Sequence, residues 1–346
     1  MKDIPNNFYN LDIYGKSSKR PYNPRGKMFG YHVLGFGSGV AAGLLPLQRG
    51  IFPFGYSYVA ASDSDVYYAT SNLVNDQGIM QADTAAVSGV SVKAQGAGAT
   101  YGGDKAVHAF GNNGSSTMNT KNLISNAGVV GADVTGVGTV RLELSAVSYG
   151  VGLALFAFGT TNSGVTNLKN LVNDVGVVAA DATGVGTAST SRYETSFGGL
   201  DAGTALIALG SASATRNLVS NTGAVATNTT IGNASSRTQG AGCTFGEDRG
   251  ILMTGSGNVS NIVSNTGAIA DDVSYVGSLT ISIAACGFGG DKGILGFGNG
   301  GNPTGGARFG LARTNTINNS GTVSSDVTRV SGVTGKQTEQ ASSFGN

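Results

Sequence analysis

The chain has 346 residues, of which 57 are Gly, 6 are Pro and none is Trp, and charged residues make up 12%. Gly at more than about twice its usual share, without abundant Pro or a G-X-Y period, excludes collagen and disfavours long helices. A net charge of +1 with 40% hydrophobic residues excludes a charge-rich disordered chain, and a binder that works by neutralising nucleic-acid phosphates.

Residues 1–45 differ from the rest. Lys2, Lys16, Lys19, Arg20, Arg25 and Lys27 oppose only Asp3 and Asp12, giving +4 and leaving −3 for the remainder. Phe8, Tyr9, Tyr14 and Tyr22 are spread among Pro5, Pro21 and Pro24 with no period. Aromatics spread in this way are unusual for disorder, so the segment reads as an extended arm that lies against a partner. Tyr9, Tyr14 and Tyr22 would supply buried area, and Lys19, Arg20 and Arg25 would pair with acidic groups. Lys2, Asp3 and Pro5 follow Met1 where a secretory leader would be apolar, so no leader is expected. The apolar stretch 33–47 is short and broken by Gly and Pro, so no membrane insertion is expected. GFGSG at 35–39 lacks the βαβ context of a nucleotide fingerprint.

From residue 46 onward three signatures alternate, and each occurs six times. An apolar run ends in Gly at Gly55, Gly111, Gly159, Gly210, Gly255 and Gly298, as in AVHAFG and ILGFG. A short apolar strand, then Asn or Asp, any residue and Gly, ends at Gly78, Gly128, Gly176, Gly223, Gly267 and Gly321, as in NLVSNTG. An aromatic followed by Gly occurs at Tyr101-Gly102, Tyr149-Gly150, Phe197-Gly198, Phe245-Gly246, Phe288-Gly289 and Phe344-Gly345. The second signature reads as a hairpin with a three-residue loop, opened by Asn or Asp and completed by a left-handed Gly. The third and first join through turns such as GGDK at 102–105 into another hairpin. One repeat is then four antiparallel strands, a to d, in about 48 residues, a unit that must stack on its neighbours to bury its faces. Four strands at this period fit a propeller blade, and six copies predict six blades.

The first copy opens on a b strand, and the sequence closes on an a strand at 340–346. That last strand is expected to complete the first blade and remove open edges. The a strands are rich in Ala, Gly and Ser, as in GAGAT at 96–100, which suits a crowded position around a central channel. The expected fold is all-β: an extended arm over 1–45 and a six-bladed propeller of four-stranded blades over 46–346.

The strand order and the apolar run plus Gly resemble kelch repeats. The phrases NLVSNTG, TGVGT and FGGDKGILGFG resemble, more specifically, kelch-like repeat proteins carried in the virions of tailed bacteriophages, over roughly 46–346. The resemblance implies a virion tail component, assembled in the host cytoplasm, whose partners are other tail proteins. The chain departs from ordinary kelch blades in lacking Trp and in having a single Gly after most b strands.

Chemistry-bearing residues are sparse. His108 falls within a b strand and reads as a packed or channel-facing residue, and His32 stands apart from it, so no histidine metal centre is expected. Cys243 and Cys286 occupy equivalent positions in two a strands and read as small residues in a slot that other copies fill with Ala or Ser. Asp104, Asp248 and Asp291, each beside a cation at Lys105, Arg249 or Lys292, read as solvated turn residues, with calcium binding as the minor alternative. Neither a copper set of Tyr, Cys and His nor an arginine triad can be assigned. No catalytic residue, cofactor or metal is expected.

The connections from b to c vary between copies, and the longest, of 23 residues, belong to the first and last copies. They carry Tyr56, Tyr58, Tyr67, Tyr68, Arg308, Phe309 and Arg313, residue types that anchor protein interfaces. The expectation is a non-enzymatic structural protein of a phage tail that docks through its arm and this loop face. The alternative is a tail adhesin for a host receptor or glycan.

Overall fold

Short runs of β-branched and apolar residues bounded by Gly give short strands. The computed structural model describes residues 48–346, except 60–61, 190–192, 198–202, 211–213, 233, 254–257, 279–280, 301–308, 329–330, 339 and 346, and every element among them is β. The residues described fall within one unit, Leu47–Asn346. The predicted arm residues Tyr9, Tyr14, Lys19, Arg20, Tyr22 and Arg25 lie outside the described residues, as does Arg308.

The strands form antiparallel sheets of three or four. The first sheet holds β1 (Arg49–Val59) and β2 (Ser64–Val74). The second holds β3 (Ala97–Tyr101), β4 (Lys105–Ala109) and β5 (Lys121–Ile124). The third holds β6 (Ser145–Tyr149), β7 (Leu153–Ala157), β10 (Leu168–Val172) and β11 (Ala182–Thr183), with a small hairpin of β8 (Thr160–Thr161) and β9 (Gly164–Val165) between β7 and β10. The fourth holds β12 (Tyr193–Phe197), β13 (Thr204–Ala208), β14 (Thr215–Val219) and β15 (Thr229–Thr230). The fifth holds β16 (Ala241–Phe245), β17 (Arg249–Met253), β18 (Val259–Val263) and β19 (Val273–Ser274). The sixth holds β20 (Ala284–Phe288), β21 (Lys292–Gly296), β22 (Arg313–Ile317) and β23 (Val327–Thr328). The last strand, β24 (Ser342–Phe344), pairs with β1 in the first sheet, with Arg49 opposite Phe344 and Ile51 opposite Ser342.

The second strand of each repeat is buried along nearly its whole length, because a neighbouring sheet covers each face. The apolar core is correspondingly divided between sheets. One cluster joins β3 and β4 to β6 and β7, the next joins the third sheet to the fourth, and others join the fourth to the fifth and the fifth to the sixth. Phe52, Val74 and Met80 of the first sheet pack on Ala284, Phe288 and Phe297 of the sixth, while Ile51, Phe54 and Phe344 pack on Ala106, Ile124 and Val130 of the second.

The Asn/Asp-x-Gly hairpin forms in every copy, but it opens one residue earlier than its Asn or Asp suggests. Gly176 donates its N–H to the Asn173 carbonyl at 3.0 Å, and Asn173 Oδ1 accepts the N–H groups of Val175 and Val177. Asn75 and Asn318 do the same, and Ser125, Ser220 and Ser264 substitute a hydroxyl. These residues supply two lone pairs at the turn. Gly176 has φ +80°, and a Cβ there would stand 2.9 Å from the Tyr101 ring of the preceding sheet. The same contact recurs between Tyr149 and Gly223, Phe245 and Gly321, Phe288 and Gly78, and Phe344 and Gly128. The repeated aromatic and the repeated turn Gly are therefore two halves of one contact between successive sheets.

Candidate interaction site

The first copy departs from the others. Its b and c strands continue past a bulge between Pro53 and Gly55 and run eleven residues each, where the other copies have strands of four or five. Tyr56, Tyr58, Tyr67 and Tyr68, expected in a loop, thus lie on a strand ladder: Tyr56 is opposite Tyr67, Tyr58 opposite Asp65, and Gly55 opposite Tyr68. The alternation of Tyr with small residues in GYSYV is itself a strand pattern and overrides the loop reading.

Rings from distant parts of the chain converge on this extension. Tyr56 and Tyr67 stack with centroids 5.5 Å apart and planes 19° apart. Tyr58 meets Phe309 edge-on at 5.8 Å, and the Gly310 N–H donates to Ser57 Oγ at 3.0 Å. Gly114, from the second sheet's connection, leaves room for the Tyr67 ring. All four rings remain partly exposed, whereas Asp63 and Asp65 beside them are exposed. Tyr58 Oη donates to Asp63 Oδ1 at 2.5 Å, and this bond to a carboxylate raises the phenol above its ordinary pKa. Burial and Asp65 raise Tyr67.

Arg313 does not join this cluster. It lies on β22 and pairs with Asp326 at 3.2 Å. Asp326 belongs to a hydrogen-bond network, centred on a buried Asn, that recurs in every sheet. An Asn on the third strand donates to a carbonyl nine residues on and to a side chain eleven residues on, as Asn122 does to Gly131 and Asp133. Asn72, Asn170, Asn217, Asn261 and Asn315 repeat it. A Ser or Thr in the connection entering the sheet also donates to that acceptor, as Thr139 does to Asp181 and Thr334 to Asp83. Two residues further on, in the first, second, third and fifth sheets, a cation turns inward. Lys93 Nζ reaches Asn122 Oδ1 at 2.6 Å, and Arg141 Nη2 reaches Asn170 Oδ1 at 2.5 Å. Arg237 bonds Asn261, and Lys336 bonds the Phe52 and Thr70 carbonyls. In the sixth sheet Arg313 supplies the charge from β22 instead.

Burial pulls Lys93 down to about 8 against the charge of Asp133, and Lys336 down to about 7 against Asp83. Burial alone would raise Asp133, but bonds from Ser91 and Asn122 and the charge of Lys93 outweigh it and hold the carboxyl below its ordinary value. The sequence signal for this network is a hydroxyl residue two before a cation in SGVSVK, TGVGTVR, NASSR and SGVTGK. Sequence reasoning passed over it because surface charge is the usual fate of Lys and Arg.

Of the residues singled out for chemistry, the His and both Cys are buried in the packing, while the three Asp sit partly exposed in turns. His108 is fully buried, its Nε2 2.7 Å from Ser342 Oγ, and burial pushes it down to about 3. Cys243 and Cys286 are buried free thiols, and burial pushes Cys243 up to about 12. Asp104 and Asp291 bond the adjacent Lys105 and Lys292, and Asn265 bonds Asp248. Among the described residues no group of three or more His, Cys, Asp or Glu is placed to hold a metal ion, and no helix is long and apolar enough to cross a membrane.

The first strands of the repeats are linked by hydroxyls. Ser148 Oγ donates to the Thr100 carbonyl, Ser196 to Ser148, and Thr244 to Ser196. Ser343 Oγ donates to the Gly287 carbonyl, and Thr100 Oγ1 to the Ser343 carbonyl at 2.8 Å. No protein-family model matches the chain, and no curated protein matches it either.

Proposed function

We propose that residues 46–346 form a six-bladed kelch-like β-propeller completed by its C-terminal strand. The protein is a non-enzymatic structural component of a tailed-phage virion, located in the tail. It docks on other tail proteins through residues 1–45 and through the face that carries the β1–β2 extension. The observation that carries the fold reading is the order of the apolar clusters: each lies between successive sheets, and one lies between the sixth and the first. The bonds from Thr100 to Ser343 and from Thr334 to Asp83 support it. The tail assignment is supported by the resemblance of the repeat phrases to phage virion proteins. The docking face is supported by the extension, which gives one sector of a repetitive molecule a surface of its own.

Imaging particles that carry a labelled copy of this chain tests the proposal. Label along the tail, with six lobes in averages of the isolated chain, is the expected result. Particles without the chain would overturn the tail role, and five or seven lobes the blade count. Label confined to the distal tip, with free chain blocking attachment to cells, would favour the adhesin.

A further inference from the structure

We infer that Asn113 is a site of self-modification, where the backbone nitrogen of Gly114 attacks the side-chain amide and water completes its conversion to aspartate or isoaspartate. The inference is independent of the tail reading.

The reaction needs an Asn whose successor lets its backbone nitrogen turn onto the amide carbon, and Gly, with no Cβ, does so most readily. The chain has two such pairs, Asn113-Gly114 and Asn299-Gly300. Asn113-Gly114 lies in the connection between β4 and β5, where Gly114, Ser115 and Ser116 are exposed. Asn112 anchors the base of this loop through bridges to Ala94 and Thr117. Asn113 Oδ1 accepts the N–H groups of Ser115 at 3.0 Å and Ser116 at 2.9 Å, and the Ser116 hydroxyl at 3.4 Å. These donors aim at the oxygen that gains negative charge when the amide carbon is attacked, so they favour the tetrahedral intermediate. The Gly114 N–H donates to Asn112 Oδ1 at 3.0 Å, a side-chain acceptor in an exposed loop that solvent hydroxide can replace. Asn299, by contrast, is buried. The Gly300 N–H donates to the Phe309 carbonyl at 2.9 Å, beside the bridge between Asn299 and Gly310, so a backbone ladder restrains its nitrogen.

Water is the only co-reactant. Hydroxide removes the Gly114 amide proton, and the nitrogen's electron pair forms a bond to Asn113 Cγ. The Cγ–Nδ2 bond then breaks, and ammonia leaves with a proton taken from water, which restores the hydroxide. Water opens the cyclic imide at either carbonyl. Opening at the side-chain carbonyl gives aspartate, and opening at the backbone carbonyl gives isoaspartate, which inserts a methylene into the main chain. Gly114 lies against the Tyr67 ring, and a Cβ on it would stand 2.8 Å from that ring. Isoaspartate therefore displaces this contact as well as adding a carboxylate.

The test incubates the full chain at mildly alkaline pH, folded and in urea, and digests samples over time. Peptide mass spectrometry reads the change from amide to acid at each Asn, fragmentation separates Asn113 from Asn112, and an isoaspartyl methyltransferase marks isoaspartate. In the folded chain Asn113 should convert about tenfold faster than Asn299, and in urea, where the donors and the ladder are lost, the two rates should agree within about twofold. Asn113→Gln, whose longer side chain disfavours ring closure, should melt like the wild type and leave its peptide unconverted. An Asn113 that stays intact in the folded chain for as long as Asn299 would overturn the inference. So would conversion at Asn112 in its place, or the same ratio of the two rates in urea as in the folded chain.

Discussion

Arg141 and Asp181 meet at 3.5 Å with the guanidinium side chain wholly buried and the carboxylate partly in solvent. The equivalent pair in the fourth sheet is Ser189 and Asn228, where the Thr187 N–H donates to Asn228 Oδ1 at 3.0 Å. Both charges are absent there together. A buried charge is tolerable only when paired; the sixth sheet, which keeps the carboxylate as Asp326, takes its cation from Arg313 on β22.

Removing one member of such a pair should therefore hurt more than removing both. Lys93→Ser is expected to lower stability by about 2–4 kcal/mol, because Asp133 and Asn122 lose their buried partner. Lys93→Ser with Asp133→Asn copies the fourth sheet and should recover at least half of that loss. Thermal melting of the three chains checks it, and a double variant no better than the single one would refute the pairing.

The turn glycines carry contact as well as conformation. Gly176→Ala must hold a left-handed Ala and displace the Tyr101 ring, which together should destabilise the fold by about 2–3 kcal/mol. Gly103→Ala also has positive φ, yet nothing lies within contact of its Cβ, so its effect should be the smaller. Comparing the two melts separates backbone strain from the clash between sheets.

Acid should unfold the protein through its networked carboxyls. Asp83, Asp133, Asp181, Asp272 and Asp326 are all held below their ordinary values; burial opposes this, and bonds from hydroxyls and Asn outweigh it. On acidification the unfolded chain takes up protons first, near pH ~3.9. The stabilisation is thus complete above that value and falls away as pH drops towards the folded-state values. Melting temperature measured from neutral to acidic pH should decline there, less steeply in Asp181→Asn.

Neither thiol should react in the native protein. Cys243 and Cys286 are buried, and burial disfavours both thiolates. A thiol reagent at mildly alkaline pH should label neither until denaturant is added, and rapid native labelling would show that the sheets carrying them open.

Deleting 340–346 removes β24 and the fully buried Phe344. Losing that ring alone is worth about 3–5 kcal/mol, and the exposed edge of β1 adds a route to aggregation. The truncated chain should be insoluble or melt far below the full one. A soluble product with unchanged melting would show that the strand is dispensable.

The repeat period, the hairpin turns and the buried b strands were legible because each depends on residues close in sequence. The contact that unites the aromatic and Gly signatures was not, since Tyr101 and its partner Gly176 stand in different copies. The inward cations were not legible, since nothing local to Lys93 and Arg141 marks the Asn partners, 29 residues on, that hold them inside. The extended first hairpin was written in its alternation, but the length of the connection that follows its b signature made it read as a loop. Which rings meet Phe309 depends on the arrangement of separate connections, and no local pattern encodes it.

The pairing of β24 with β1 also sets an order of events. Five sheets can form from strands that neighbour one another in sequence, whereas the first must wait for β24, which lies far along the chain from β1. Until then a two-stranded hairpin stands with one edge bare, and the entropy of closing so long a loop delays its completion. Refolding should accordingly end on a slow step in which amide protons of Arg49–Ile51 gain protection after those of β16 and β17. The sheet that holds the first described strand is the last to be finished.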